Sequence, residues 1–304
     1  MKRIVAAVLC LLLLCGCAAA PRKEDGRLRI VTTVFPLYDF VRAVGADKVE
    51  TVLLIDAGME IHSFDPAPSD LRAIATADLF MMVGGESETW AKRLIRERTG
   101  ETLKMMDAVS LLPEEDFEHH EHHADGEEEF DEHIWTSLEN AADMVETIAR
   151  KLCAMDEKNA RFYQQNADRY MAQILDEKRE IEQIVGESRH PFILVADRYP
   201  FRYFAEEFGL EHEAAFGGCA ASADIGARTM ARLIRTVKEQ NCTVAYYTEL
   251  SNRTVADALA QETGVRLLEL HSAHNVTKED FENGVTYVDL MKRNAESLRK
   301  GLLS

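Results

Sequence analysis

Apolar positions along the chain switch repeatedly between two periods. Leu28 to Val34 is a β-branched run, Pro36 to Val44 spaces its apolar residues as a helix does, and Val49 to Ile55 is strand-like again. A helix behind Ser69, a buried strand at Leu79 to Val83, a helix over Glu88 to Arg98 and a short strand near Thr102 to Asp107 continue the pattern. From Leu138 the period turns helical: one amphipathic helix reaches Cys153, and a second restarts behind Asp156, a good N-cap residue, and runs to Val185. At about 1.5 Å per residue that second helix is on the order of 45 Å long, more than a small domain is wide. The alternation then resumes, with a strand at Pro191 to Ala196, a helix ending at Gly209, a strand near Glu213 to Phe216, further helix and strand pairs, and a final helix from Tyr287 to Leu302.

Strands alternating with helices predict parallel sheets. The expected fold is α/β: two lobes, each with a mostly parallel four-stranded sheet flanked by helices, joined by one long rigid connector helix. The N-terminal lobe covers residues 28–155, the connector 156–187 and the C-terminal lobe 188–304. In open α/β sheets ligands bind outside the carboxyl ends of the strands, so residues just past strands are the candidates for chemistry.

The first residues change the picture of where the chain works. Lys2 and Arg3 precede an apolar run from Ile4 to Leu14 that is too short to span a bilayer and ends in Leu14-Cys15-Gly16-Cys17. Residues 1–16 read as a lipoprotein signal and 17–27 as a linker, with Cys17 the acylated first residue of the mature chain; a plain cleavage nearer Ala20 is the alternative. Removing Lys2 and Arg3 takes the formal charge from −18 to −20. Such a surface repels phosphate backbones and attracts cations, which argues against nucleic acid as a partner. Of the remaining cysteines, Cys153, Cys219 and Cys242, at most two can pair, and no CxxC motif suggests a cysteine zinc knuckle.

One stretch stands out chemically. Glu118 to Trp135, "EHHEHHADGEEEFDEHIW", holds five histidines and eight carboxylates without an apolar period. His119, His120, His122 and His123 lie in the loop assigned to 118–132 and read as weak, fast-exchanging collectors of metal. His133 differs, because it sits beside Trp135 where the chain re-enters the core. His62 follows a strand in "DAGMEIHSFDPAPSD", His271 follows the last strand with His274 three residues on, and Asp197 ends the first strand of the second lobe. His62, His133, His271 and Asp197 thus fall at strand ends or core re-entry points, two from each lobe, as a cleft metal site requires. Neutral imidazole suits Zn²⁺, whereas Mn²⁺ prefers more oxygen. Phe35 and Tyr38 are expected along the cleft, Cys219 is read as a packed thiol, and Glu129, Asp131 and Glu132 are expected to be solvated.

Over nearly its whole mature length the sequence resembles the solute-binding lipoproteins of metal ABC importers, the zinc and manganese cluster A-I type. "GMEIHSFDPAPSDLRAIATADLFMMVGGESETW" is similar to the family's first signature, with its H-S-x-x-P-x-P-S-D and G-x-x-x-E-x-W runs. "DEHIWTSLENA" resembles the second, P-H-x-W followed by a helix, with Glu132 in place of the proline. "ETGVRLLELHSAHNVTKEDFENGVTYVDLMKRN" is similar to the closing segment. The resemblance implies ligand roles for His62 and His133, and for His271 where the family has an aspartate, with His274 as the alternative. Arg198 stands where a third ligand usually lies; either Asp197 takes that place after a one-residue shift, or water does while Arg198 pairs with Glu249 or Glu60. The same resemblance implies a monomeric, lipid-anchored receptor on the outer face of the membrane that hands Zn²⁺ to an ABC permease. A manganese or iron receptor, a zinc hydrolase using His62, His133 and His271, and an additional adhesin role are the alternatives.

Overall fold

A computed structural model describes residues 26–59, 64–115, 129–218 and 226–303. His62, Glu60, the loop histidines His119, His120, His122 and His123, Cys17 and Cys219 lie outside the described residues.

Two four-stranded parallel sheets form, built alike. The first takes β1 (Leu28–Thr32), β2 (Val49–Leu53), β3 (Leu79–Met82) and β4 (Glu101–Lys104) in the order β2-β1-β3-β4. The second takes β5 (Phe192–Tyr199), β6 (Glu211–Gly217), β7 (Val244–Tyr247) and β8 (Arg266–Glu269) in the order β6-β5-β7-β8. In each sheet the chain first steps to one side and then crosses to the other, which creates a topological switch point between the first and third strands. There the loops at the carboxyl ends diverge and leave a crevice. The central strands are covered on both faces; all of Leu79–Met82 is buried.

Between the sheets lies one continuous apolar core. It joins Ile30, Leu79 and Met81 of the first sheet to Ile193, Val195 and Tyr246 of the second through helices Phe35–Gly45, Leu138–Met155, Ala160–Glu187 and Tyr287–Leu302. Smaller cores around Phe80 and around Leu233 cover the outer faces. Helix Ala160–Glu187, about 42 Å long at 1.5 Å per residue, buries a single stripe of Tyr163, Ala167, Tyr170, Ile174, Ile181 and Ile184. Its start differs from the expectation of an Asp156 cap. A 3₁₀ turn, Glu157–Asn159, precedes it, and the Asp156 carboxylate accepts from Asn159 Nδ2 and Tyr163 O–H rather than from the helix backbone. Among the described cysteines, Cys153 and Cys242 are both free thiols.

A buried carboxylate ties the two halves. Asp39, 1% exposed, lies on helix Phe35–Gly45 and accepts from Tyr170 O–H of the connector and from the Tyr287 N–H that opens the last helix (2.8 Å). Arg42 donates to it at 2.6 Å and to the carbonyl of Val285 at 3.0 Å. Burial still pushes the Asp39 carboxyl above the usual range, with Arg42 opposing. Glu207 of the second half does related work, accepting from the N–H groups of Leu138 (2.6 Å) and Glu139 (3.0 Å) at the N-terminus of a first-half helix. Replacing Asp39 by Ala strands the Tyr170 hydroxyl and the Tyr287 N–H in the core. Urea unfolding of Asp39→Ala is expected to show a loss of about 3 kcal/mol or more; a loss below about 1 kcal/mol would contradict the hub.

Candidate metal centre

The carboxyl ends of the strands open onto a cavity of about 440 Å³, part of it solvent. The end of β5 and the loops of the second sheet supply Arg198, Pro200, Gly218, Thr248, Glu249, Leu250, Ser272, His274 and Asn275, while Met59 and His133 come from the first half. His133 is 1% exposed, and its ring centroid lies 5.1 Å from that of His274, the two rings nearly perpendicular. Trp135 backs both, 5.6 Å from His133 and 4.9 Å from His274.

Two neighbouring carboxylates build the His133 position. Asp131 Oδ1 accepts from the His133 N–H (2.7 Å) and lies 3.0 Å from its Nδ1. A carboxylate there fixes the proton on Nδ1 and leaves Nε2 as the donor atom of the ring. Burial lowers the basicity of His133, but the Asp131 charge and hydrogen bond, with Glu132 and Glu114 beyond, hold its pKa above the ordinary value. Glu132 accepts from Ser87 N–H (2.7 Å) and from the Ser87 hydroxyl, which anchors the segment to the loop after β3. Gly85 permits this approach, because a Cβ there would lie 2.3 Å from the Glu132 side chain. A Cβ at Gly218 would likewise lie 3.1 Å from His133 Cε1. Asp131 and Glu132, expected to be solvated, are therefore buried at 2% and 5% exposure; only Glu129 is exposed. Their burial is hidden in the sequence because they sit within a carboxylate run that has no apolar pattern.

The second half holds its cavity residues through the turn after β8. Trp135 Nε1–H donates to the Ser272 carbonyl (2.8 Å) and Tyr287 O–H to the Trp135 carbonyl (2.6 Å), so the two halves meet beside the rings. Ala273 has φ +60°, and this left-handed residue turns His274 toward His133. His271 is placed differently from the expectation. Its Nδ1 accepts from the Ala273 N–H (2.9 Å), its backbone is clamped by Asn294, and it does not line the cavity. The geometry thus brings His274, not His271, to His133.

Asp197 also departs from its expected place. The pairing of β5 with β6 slips between Val195 and Arg198, a bulge that re-aims both side chains. Asp197 accepts from Arg198 N–H (2.9 Å) and from the Thr248 hydroxyl (2.9 Å), outside the cavity, while Arg198 lines it. Glu249 lines it too, with its carboxylate accepting from Ser272 N–H (2.7 Å) and His274 N–H (3.2 Å) and lying 3.6 Å from His271 Nδ1. Phe35 is in the core and Tyr38 packs on Phe281, so neither lines the cavity. Among the described residues, no three His, Cys, Asp or Glu side chains converge as a complete metal site.

The sequence profile of the zinc-uptake complex component A family, described as periplasmic, matches residues 30–301. The zinc-binding lipoprotein AdcA of Streptococcus pneumoniae R6 is 30% identical across 99% of this chain, which spans only 61% of that protein's length. The high-affinity zinc uptake system protein ZnuA of Bacillus subtilis 168 is 29% identical, with 99% of this chain and 96% of that protein aligned. The crystal structure of the Zn(II)-bound ZnuA-like domain of S. pneumoniae AdcA superposes with a TM-score of 0.77 at 27% identity, covering 92% of this chain and all of that one.

Behind the cavity wall, burial pushes the Glu88 carboxyl up to about 7, although the Gly84 N–H donates to it at 2.6 Å. A raised folded pKa stabilises most below the unfolded value and loses that contribution as pH rises toward 7. Between pH 5 and pH 8 the natural chain is therefore expected to lose about 2 kcal/mol relative to Glu88→Gln in urea unfolding. Parallel pH profiles for the two would refute the assignment.

Proposed function

Because the chain belongs to the zinc-uptake complex component A family, we propose that it is a receptor that captures Zn²⁺ outside the cytoplasmic membrane and delivers it to an ABC-type permease. The observation that carries this reading is the buried His133 ring, its Nδ1 held by Asp131, facing His274 across a cavity at the carboxyl ends of both sheets. Two imidazoles with a carboxylate behind one of them form a borderline-soft donor set, which suits zinc better than manganese. Membership of an uptake family replaces the hydrolase reading. The work is coordination and release, without bond-making.

In this proposal His62 supplies a third imidazole from the first half, and His274 takes the place first assigned to His271. Glu249 orients the His274 turn and does not bind the ion. The signal of residues 1–16 is removed, Cys17 carries the lipid, and the monomer sits at the outer face of the membrane on the 17–27 linker. His119, His120, His122 and His123 gather ions weakly. The lobes 28–155 and 188–304 move little about the connector 156–187, because the ties at Asp39, Trp135 and Tyr287 resist hinge opening. Exchange of the ion then falls to the loops.

Competition titration with a chromophoric zinc chelator tests the site. Asp131→Asn is expected to weaken zinc binding about ten- to a hundredfold, and His62→Ala, His133→Ala and His274→Ala by more. His271→Ala, by contrast, is expected to retain affinity within about tenfold. Wild-type affinity in His133→Ala would sink the site, and a larger loss in His271→Ala than in His274→Ala would return the ligand role to His271. Deleting residues 118–128 is expected to remove weak additional binding and leave one tight site; loss of the tight site would show that the loop is part of it.

A further inference from the structure

We infer that Asn275 is the residue through which the first half positions His274 for the ion, so that the geometry of the site depends on a side-chain amide that does not touch the metal. The inference rests on the receptor reading above, in which His274 is a ligand, and adds a positioning residue to it.

His274 belongs to the second half in sequence, yet the turn that carries it is fastened to the first half on both sides. Before it, the Ser272 carbonyl accepts from Trp135 Nε1–H (2.8 Å). After it, Asn275 reaches into the loop that follows β2, where its Nδ2 donates to the carbonyls of Asp56 (3.0 Å) and Met59 (2.9 Å). That loop is itself a closed turn. Met59 N–H donates to the Asp56 carbonyl (3.1 Å), and Gly58, at φ +81°, gives its N–H to the Val276 carbonyl (2.8 Å). Asn275 Oδ1 accepts from the Val276 N–H (2.8 Å), which fixes the side chain against its own backbone. Asn275 is 5% exposed and Val276 is fully buried, so little water competes for these bonds.

An amide nitrogen carries two hydrogens, and Asn275 spends them on two carbonyls of the first half. The side chain is therefore a brace. Within its own half, His274 is held through its backbone N–H, which donates to Glu249 (3.2 Å) and to the Ser272 hydroxyl (3.2 Å). Those bonds place the residue relative to the second sheet. They do not set its distance from His133, which stands on the first half with its ring centroid 5.1 Å away. A distance between halves is set by bonds between halves, here Trp135 to Ser272 and Asn275 to Asp56 and Met59. The difference matters for an ion. A ligand serves a metal when it is held within about 0.5 Å of its place, and the partners that hold it there are worth about ten- to a hundredfold in affinity.

The test compares zinc affinity in the natural chain, Asn275→Leu, His274→Ala and the double variant. Leu matches Asn in size and removes the donors. Asn275→Leu is expected to weaken zinc binding about tenfold in the natural chain and less than about twofold in the His274→Ala background, where the brace has no ligand to hold. Asn275→Asp is the second variant: it keeps the acceptor for the Val276 N–H and loses both donors. Its added charge favours a cation, so the weaker binding expected there comes from position. Cobalt(II) in place of zinc reads the geometry, and the visible bands of Asn275→Leu are expected to move toward those of His274→Ala. In the metal-free chain, amide exchange over residues 272–276 is expected to quicken about tenfold in Asn275→Leu, with helix Leu138–Met155 unchanged. Natural affinity and natural cobalt bands in both Asn275 variants would overturn the inference, as would equal losses with and without His274, and tight zinc binding by the natural chain would leave the receptor reading standing. Absence of tight zinc binding by the natural chain, or natural affinity in His274→Ala, would overturn that reading itself.

Discussion

One carboxylate oxygen decides which nitrogen of His133 can meet an ion. Asp131 Oδ1 takes both the backbone N–H and the ring Nδ1 of His133, so the tautomer, the ring plane and the basicity of Nε2 follow from a single contact. That contact works because it is buried. Water would screen the pair and free the ring, but Asp131 and His133 are almost fully covered, and Glu132 on Ser87 and Tyr203 O–H on the Asp131 carbonyl (2.9 Å) hold the segment in place. For the receptor proposed above, such preorganisation leaves little ordering for the moment of ion binding.

The same segment belongs to both halves of the molecule. Trp135 donates into the turn after β8, Tyr287 donates back to Trp135, and Asp39 gathers the first helix, the connector and the last helix. The two sheets therefore share one core, and the cavity above it is lined mainly by loops. Two of those loops carry left-handed residues without glycine, Leu250 at φ +57° and Ala273 at φ +60°. Strain of about 1 kcal/mol or more at such positions persists only where surrounding contacts impose it, and both flank cavity residues. Leu250 also exposes 43% of its surface at the cavity mouth.

Much of this was legible in the sequence. Alternation of β-branched runs with helical periods is a local signal, and it pointed to the parallel sheets, the long connector and the last helix at Tyr287–Leu302. The burial of His133 was legible because an apolar Trp135 marks where a polar run re-enters the core. The departures lie in features that periodicity does not carry. That His274 rather than His271 lines the cavity depends on a left-handed turn at Ala273, that Arg198 rather than Asp197 does so depends on a bulge against β6, and the burial of Asp131 and Glu132 depends on Ser87 and Tyr203 far away in sequence. No periodicity encodes such choices. Asp156 shows the same limit on a small scale, since its carboxylate serves Tyr163 and Asn159 instead of the helix it was expected to cap.

The receptor proposed above holds one zinc ion between the halves, on His133 and His274. Crystals of the zinc-loaded chain, with anomalous diffraction collected on both sides of the zinc edge, test it most directly. One dominant peak is expected in the cavity, about 2.0–2.1 Å from His133 Nε2 and from a ring nitrogen of His274, with His271 still bonded to the Ala273 N–H. A dominant peak on His271, on Asp197 or away from His133 would contradict it.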